Sequence, residues 1–252
     1  SHVLNKPRSY FFTWPEAELT DEQLSQFNAL LKQRKSGTPV AYLLGYREFW
    51  NLQLKVTNDT LIPRPDTELL VELALTQQLS MNAHIADLGT GTGAIALALA
   101  KEQPTLQITA IDKNPEALAV AKENSISNDI HNVRFLEGDW CSEFTPESMD
   151  MIVSNPPYIR NADPHLQQGD VRFEPMSALA SGDDGLQDIR TIAREAFIVL
   201  KNVGILLLEH GYNQGDAVRL ILANAGYSNV RTKQDLSGHD RVTLAKKLIT
   251  QQ

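Results

Sequence analysis

The sequence predicts an α/β protein: a doubly wound, mostly parallel sheet with a small helical region in front of it. Three observations support that expectation. Apolar runs of strand length alternate with longer helical patterns from residue 84 onward, as crossover-connected parallel strands require. One strand-to-helix junction, Gly89-Thr90-Gly91-Thr92-Gly93, is rich in glycine. Another strand runs into Asn155-Pro156-Pro157-Tyr158, a turn too rigid and too poor in donors to continue a strand or a helix.

Taken in order, Leu19-Thr20-Asp21-Glu22 opens a helix on a Thr20 cap. Leu24, Phe27, Leu30 and Leu31 then recur at helical spacing until the Gly37-Thr38-Pro39 break. Residues 49–56 with 60–62 read as a β-hairpin. Strands are expected at 85–88, 106–111, 133–136 and 151–153, with an alanine-rich helix over 94–100 and a solvated helix of alternating charge over 113–123. Residues 159–185 are polar, contain Pro164 and Pro175 and keep no period. A loop of that length in a compact unit is generally functional or disordered, and it is expected to be a substrate-facing lid with Phe173 and Glu174 in its wall. Helix resumes over 186–200, followed by a strand at 204–209, a helix at 216–225 and a final strand at 242–245.

The 252 residues, 42% hydrophobic and 21% charged, suffice to bury a core. No apolar run approaches the roughly 20 residues of a membrane-spanning helix, and the first residues carry no signal-like apolar stretch. The single cysteine, Cys141, excludes an internal disulfide and fits a cytoplasmic setting. The six histidines are dispersed without metal-ligand spacing, so no metal is expected. With 23 Lys+Arg against 31 Asp+Glu the net charge is −8, which disfavours broad contact with phosphates, and no direct nucleic-acid binding is expected. Residues 1–60 hold 7 basic and 6 acidic residues, leaving 16 against 25 for the rest, so the acidity lies mainly in the α/β part.

The proline turn reads as a device for holding a planar NH2 group. Consecutive prolines remove two N–H donors, leaving carbonyl oxygens with the Asn155 side-chain oxygen close by. An amide or aromatic amine is a poor nucleophile because its lone pair is delocalised; acceptors on its hydrogens return electron density as it pyramidalises. The glycine turn explains what such a nitrogen would attack. Glycines let the backbone approach a ligand, the helix start offers unpaired N–H groups, and Asp112, about 20 residues on, is placed to hold ribose hydroxyls. Gly89, Gly91, Ala94 and Asp112 also satisfy a loose dinucleotide fingerprint, which alone leaves NAD and S-adenosylmethionine level. Three features favour the latter: glycines at alternate positions, the Asp139-Trp140 pair after the third strand, and the proline turn after the fourth.

The segments Asp87 to Gly93, Asp112, Asp139-Trp140 and Asn155 to Tyr158, in this order and at these intervals, resemble the Rossmann-like S-adenosylmethionine-dependent methyltransferases that act on planar nitrogens. Further segments narrow the resemblance: Leu61-Ile62-Pro63-Arg64-Pro65-Asp66-Thr67-Glu68, Arg172-Phe173-Glu174-Pro175 with Ala178-Leu179, and Gly238-His239-Asp240-Arg241-Val242. Together they look like the protein-(glutamine) methyltransferases of the HemK/PrmC type, which act on peptide chain release factors. The resemblance implies a seven-stranded sheet whose last strand is antiparallel, inserted as part of an edge hairpin. It implies a helical domain over 1–48, a hairpin linker over 49–63 and a methyltransferase domain over 64–252. It also implies a fuller N-terminal bundle, and hence a truncated N-terminus here.

By the same resemblance, Gly89, Thr90, Gly91, Thr92 and Gly93 line the methionine and ribose end of the cofactor, and Asp112 holds the ribose hydroxyls. Trp140 lies near adenine with Asp139 beside it. Asn155 bridges cofactor and substrate, and Asn155, Pro156, Pro157 and Tyr158 form the catalytic clamp on a glutamine side-chain amide. The implied reaction methylates a glutamine, in a Gly-Gly-Gln segment of release factors, and yields S-adenosylhomocysteine. A ribosomal-protein glutamine and the exocyclic amine of a nucleic-acid base are the alternative substrates. No essential base is expected, since a methylated amide cation loses its proton readily. Arg64 and Glu68 read equally as capping residues and as site residues. Glu209 and His210, ending a buried strand, read as structural.

Overall fold

The computed structural model describes residues 1–248. It opens with α1 (Ser9–Thr13), α2 (Asp21–Lys35) and α3 (Val40–Leu44). The start of α2 is a reciprocal capping box: Gln23 N donates to Thr20 Oγ1, and Thr20 N donates to the Gln23 side chain. None of these three helices buries a residue, and Leu24, Phe27 and Leu31 stay exposed. Strands β1 (Tyr46–Phe49) and β2 (Leu52–Lys55) pair antiparallel around Trp50-Asn51, both at positive φ, the mirror-image turn that matches strand twist. The hairpin is therefore tighter than the sequence implied. Residues 60–62 take no part in it, because Thr60 folds back on Thr57.

The remainder alternates α4 (Glu68–Leu75), β3 (His84–Leu88), α5 (Ala94–Glu102), β4 (Gln107–Asp112), α6 (Pro115–Ser127), β5 (Val133–Glu137), β6 (Met149–Ser154), α7 (Gln187–Val199), β7 (Leu200–Glu209), α8 (Gly215–Asn224), β8 (Tyr227–Gln234) and β9 (Asp240–Lys247). The strands form one seven-stranded sheet in the order β5-β4-β3-β6-β7-β9-β8. Pairing is parallel from β5 to β7 and antiparallel on both sides of β9. The last strand is thus inserted between β7 and the edge strand β8.

Alternation along the strands divides the core in two. Ile85, Ile108, Met151, Val153, Ile205 and Leu207 face α4 and α5, whereas Ala86, Leu88, Ile111, Ile152, Leu206 and Leu208 face α7 and α8. Both faces of the sheet are covered, which is why its central strands are apolar throughout. The hairpin is fastened to this body by side chains. Asn124 of α6 accepts from Lys55 N and donates to Lys55 O and Thr92 O, and Glu68 accepts from Trp50 N. Glu68 is therefore a tie to the hairpin.

Candidate active site

Strands β3 and β6 are neighbours, with Leu88 opposite Ser154. The glycine turn and the proline elbow consequently leave the same end of the sheet side by side, and Ser154 Oγ donates to the Leu88 carbonyl at 2.7 Å. This is the point where strand order reverses: β4 and β5 lie to one side of β3, β6 and β7 to the other. Open α/β sheets bind ligands at the carboxyl ends of the strands there.

Asp87, fully buried, organises the glycine turn by accepting from Thr90 Oγ1 at 2.6 Å and Ala96 N at 3.2 Å. Gly89 sits at φ +68, and a Cβ there would lie 3.2 Å from the Trp140 ring. A Cβ on Gly91 would enter open space, namely the mouth of the cleft. At the end of β4, Asp112 accepts from Gly91 N and Asn114 N, each at 2.9 Å. Burial raises its carboxyl above the usual range, and each oxygen keeps a second lone pair for a hydroxyl.

The resulting cleft holds about 680 Å³ of free space out to its open mouth. Gly89, Gly91, Asp112, Asp139, Trp140, Asn155 and Pro157 line it, joined by Leu61, Asn114 and Ala178. Thr90, Thr92 and Gly93 do not. Thr90 is spent on Asp87, the Thr92 carbonyl on Asn124, and a Cβ on Gly93 would press on Leu97 and Ala121; these three shape the turn from behind. A second chamber, of about 460 Å³, is lined by Arg64, Asn155, Pro156, Tyr158, Val171 and Leu179 among others. Leu61, Asn155 and Ala178 line both chambers.

The elbow is held from several sides. Asn155 Nδ2 donates to Thr67 Oγ1 at 3.2 Å. Gln214 Nε2 donates to the Tyr158 carbonyl at 2.9 Å. Ile159 N donates to Leu179 O at 2.9 Å, and Ser181 N to Ile159 O at 2.8 Å. Beneath it, burial raises the Tyr158 phenol well above its ordinary value and pushes the Glu209 carboxyl up to about 7. His210 is structural, its ring bonded to Gly211 O and Thr243 Oγ1. Cys141 is buried, and burial pushes its thiol up to about 12.

Residues 159–185 form three single-turn helices, at Pro164–Gln167, Val171–Phe173 and Met176–Ala178. The expected wall residues, Phe173 and Glu174, line neither chamber. Glu174 points inward, pairing with Arg64 and accepting from Ile62 N at 3.1 Å, while Phe173 packs beside Arg172. Val171, Ser177, Ala178 and Leu179 face the chambers instead. Sequence reasoning also passed over Thr67 and Leu61, although both lie in the Leu61–Glu68 segment; no periodicity distinguishes a hydroxyl that meets Asn155 only through folding. Among the described residues no group of three or more His, Cys, Asp or Glu stands close enough to hold a metal ion.

Solved structures place the fold among methyltransferases. A Pyrococcus furiosus methyltransferase matches with a TM-score of 0.59 at 18% identity, over 89% of this chain and all of that one. M. jannaschii TYW2 in complex with AdoMet matches at 0.53 and 17%, over 80% and 84%. Two family models match, the methyltransferase small domain over residues 65–170 and the PrmC N-terminal domain over residues 1–45. The release factor glutamine methyltransferase of Vibrio cholerae is 55% identical over 97% of this chain and 86% of its own length, and that of Escherichia coli K12 50% identical over 97% and 88%. The chain belongs to the release factor glutamine methyltransferase family. Its cofactor is S-adenosylmethionine, which suits the open space before Gly91 and the two lone pairs left on Asp112.

Proposed function

We infer that this chain methylates the side-chain amide nitrogen of a glutamine in release factors, at the two-chamber site divided by Asn155. When bound, S-adenosylmethionine supplies the methyl group as an electrophile. Asp112 holds the ribose hydroxyls, Trp140 and Asp139 flank the adenine, and Gly89 and Gly91 allow close approach along the first chamber. The glutamine side chain enters the second chamber, where Asn155 Oδ1 and the elbow carbonyls accept the hydrogens of its NH2 group, and the Tyr158 ring faces the flat amide. As the nitrogen lone pair leaves conjugation these oxygens stabilise the growing positive charge, while confinement at near-attack distance can supply roughly 7 to 11 kcal/mol. The proton leaves after transfer, so no residue need act as a strong base.

The observation that carries this reading is the shared wall: Leu61, Asn155 and Ala178 border both chambers, so a ligand in each would meet at Asn155. A Gly-Gly-Gln segment suits a narrow second chamber, since glycines let a chain approach it closely. The cytoplasm is the compartment that a translation substrate implies, and the catalytic unit is the methyltransferase domain over 64–252 together with Leu61 from the hairpin linker over 49–63, with 1–48 outside it. Labelled-methyl transfer against release factor, ribosomal protein and nucleic acid tests the substrate: label is expected in a release-factor glutamine, and label in nucleic acid alone defeats the reading. Asn155→Ala should lower kcat by roughly 10²- to 10³-fold, the scale of losing one preorganised polar contact, with circular dichroism unchanged.

A further inference from the structure

Beneath the elbow lies a carboxyl to which the reaction, as derived above, gives no task. Glu209 ends β7 at 1% exposure, after the buried Leu206, Leu207 and Leu208, and its Oε2 meets no hydrogen-bond donor. A carboxyl in such surroundings is costly to bury. The Thr67 and Tyr158 side chains face it, and Thr67 Oγ1 accepts from Asn155 Nδ2 at 3.2 Å. A hydroxyl has one proton to give, and an ionised carboxylate only accepts. Since Thr67 receives from Asn155, its own proton is free for the carboxyl it faces, and a bond there would set the polarity of the chain from its buried end. Asn155 then presents its NH2 to Thr67 and its oxygen to the side that borders both chambers. Flipped, the amide would offer a donor where the substrate NH2 needs an acceptor.

We propose that Thr67 and Glu209 are positioning residues: a directional relay from Asn155 through Thr67 to Glu209 holds the Asn155 amide with its oxygen toward the substrate, and the same carboxyl anchors the Tyr158 hydroxyl. The proposal rests on the reading of Asn155 as the acceptor for the glutamine amide. It has a pH consequence. A protonated Glu209 can donate to Thr67, which frees the Thr67 proton to turn and removes the preference between amide orientations. The groups facing Glu209 are Thr67 and Asp66 ahead of α4, Tyr158 on the elbow and Arg241 on β9; Arg241 favours the ionised form and Asp66 opposes it. With burial pushing the carboxyl up to about 7, kcat is expected to fall as pH drops through that region.

The test is steady-state kinetics of the full chain with its protein substrate, using Thr67→Val, Thr67→Ser, Glu209→Gln and the Thr67→Val/Glu209→Gln double variant, with Tm measured for each. Thr67→Val and Glu209→Gln should each lower kcat roughly 10- to 100-fold, the scale of a misplaced catalytic group, with cofactor KM and Tm close to the parent. Thr67→Ser should restore most of the rate. The double variant should be no slower than the slower single variant, because both cut one relay, and the acidic limb of the pH profile should vanish in Thr67→Val. The relay is overturned by single variants within twofold of the parental kcat, by losses that multiply in the double variant, or by rates that follow Tm alone. Should Glu209→Gln not fold, the Val and Ser variants of Thr67 decide alone. An active Asn155→Ala would remove the parent reading itself, whereas an inactive Asn155→Ala beside a fully active Thr67→Val removes only the relay.

Discussion

Asp87 and Glu209 give the chain a pH signature that can be measured apart from activity. Burial pushes both carboxyls up to about 7, from ordinary values of 3.8 and 4.5. Between those values and 7 the folded chain retains protons that the unfolded chain has released, so stability falls as pH rises through that window and the loss is complete above it. Denaturant titrations from pH 5 to pH 8 should therefore show a shallower decline for Asp87→Asn than for the parent; parallel slopes would assign the effect elsewhere. At the glycine turn, Gly91→Val should raise the cofactor Kd at least tenfold, because its side chain would fill the space that opens at Gly91. Equilibrium dialysis with the cofactor measures this directly. Gly91, Asp112, Asn155 and Tyr158 were legible in the sequence as candidate lining residues, and they do line the two chambers, because a glycine turn, an acidic strand end and two prolines are each recognisable within a few residues. Thr67 and Glu209 were not, since each gains meaning only from a partner 88 or more residues away or across the sheet.

At the scale of elements, one side chain ties the hairpin of β1 and β2 to the glycine turn. Asn124 satisfies both Lys55 backbone groups and the Thr92 carbonyl, joining the hairpin to the back of the glycine turn. Replacing it by Ala strands buried polar groups, each costing about 1 to 3 kcal/mol, so Asn124→Ala should lower Tm by several degrees and weaken cofactor binding together. Strand β8 shows a different dependence. Its sequence, Tyr-Ser-Asn-Val-Arg-Thr-Lys-Gln, lacks the apolar run that marked the inner strands, because an edge strand is covered on one side only and carries charge that discourages further pairing. It escaped sequence reading for that reason. The inner strands were found because both faces of each are buried, and their ends were misjudged by a few residues where a bulge intervenes, as between Met149 and Met151 opposite β7.

For the whole molecule, α1 and α2 bury nothing and α2 meets the rest through exposed contacts such as the Arg34–Asp170 ion pair at 2.8 Å, whereas α3 is half-buried and its Tyr42 hydroxyl donates to Thr60 O at 2.8 Å. Exposed pairs of this kind contribute about 0 to 1 kcal/mol. Removal of residues 1–38 should accordingly leave the thermal transition within a few degrees and the cofactor Kd within twofold. A collapse of either by calorimetry would show that the helical region is part of the catalytic core. Taken alone, the sequence determined the chemistry and the order of the parts, since strand alternation, the glycine turn and the donor-free elbow are written in contiguous residues. Only the tertiary structure decided that Leu88 and Ser154 lie side by side, that Asn155 borders both chambers, and that Glu209 lies beneath it. Strand order and side-chain burial arise from packing between distant segments, and no local pattern encodes them.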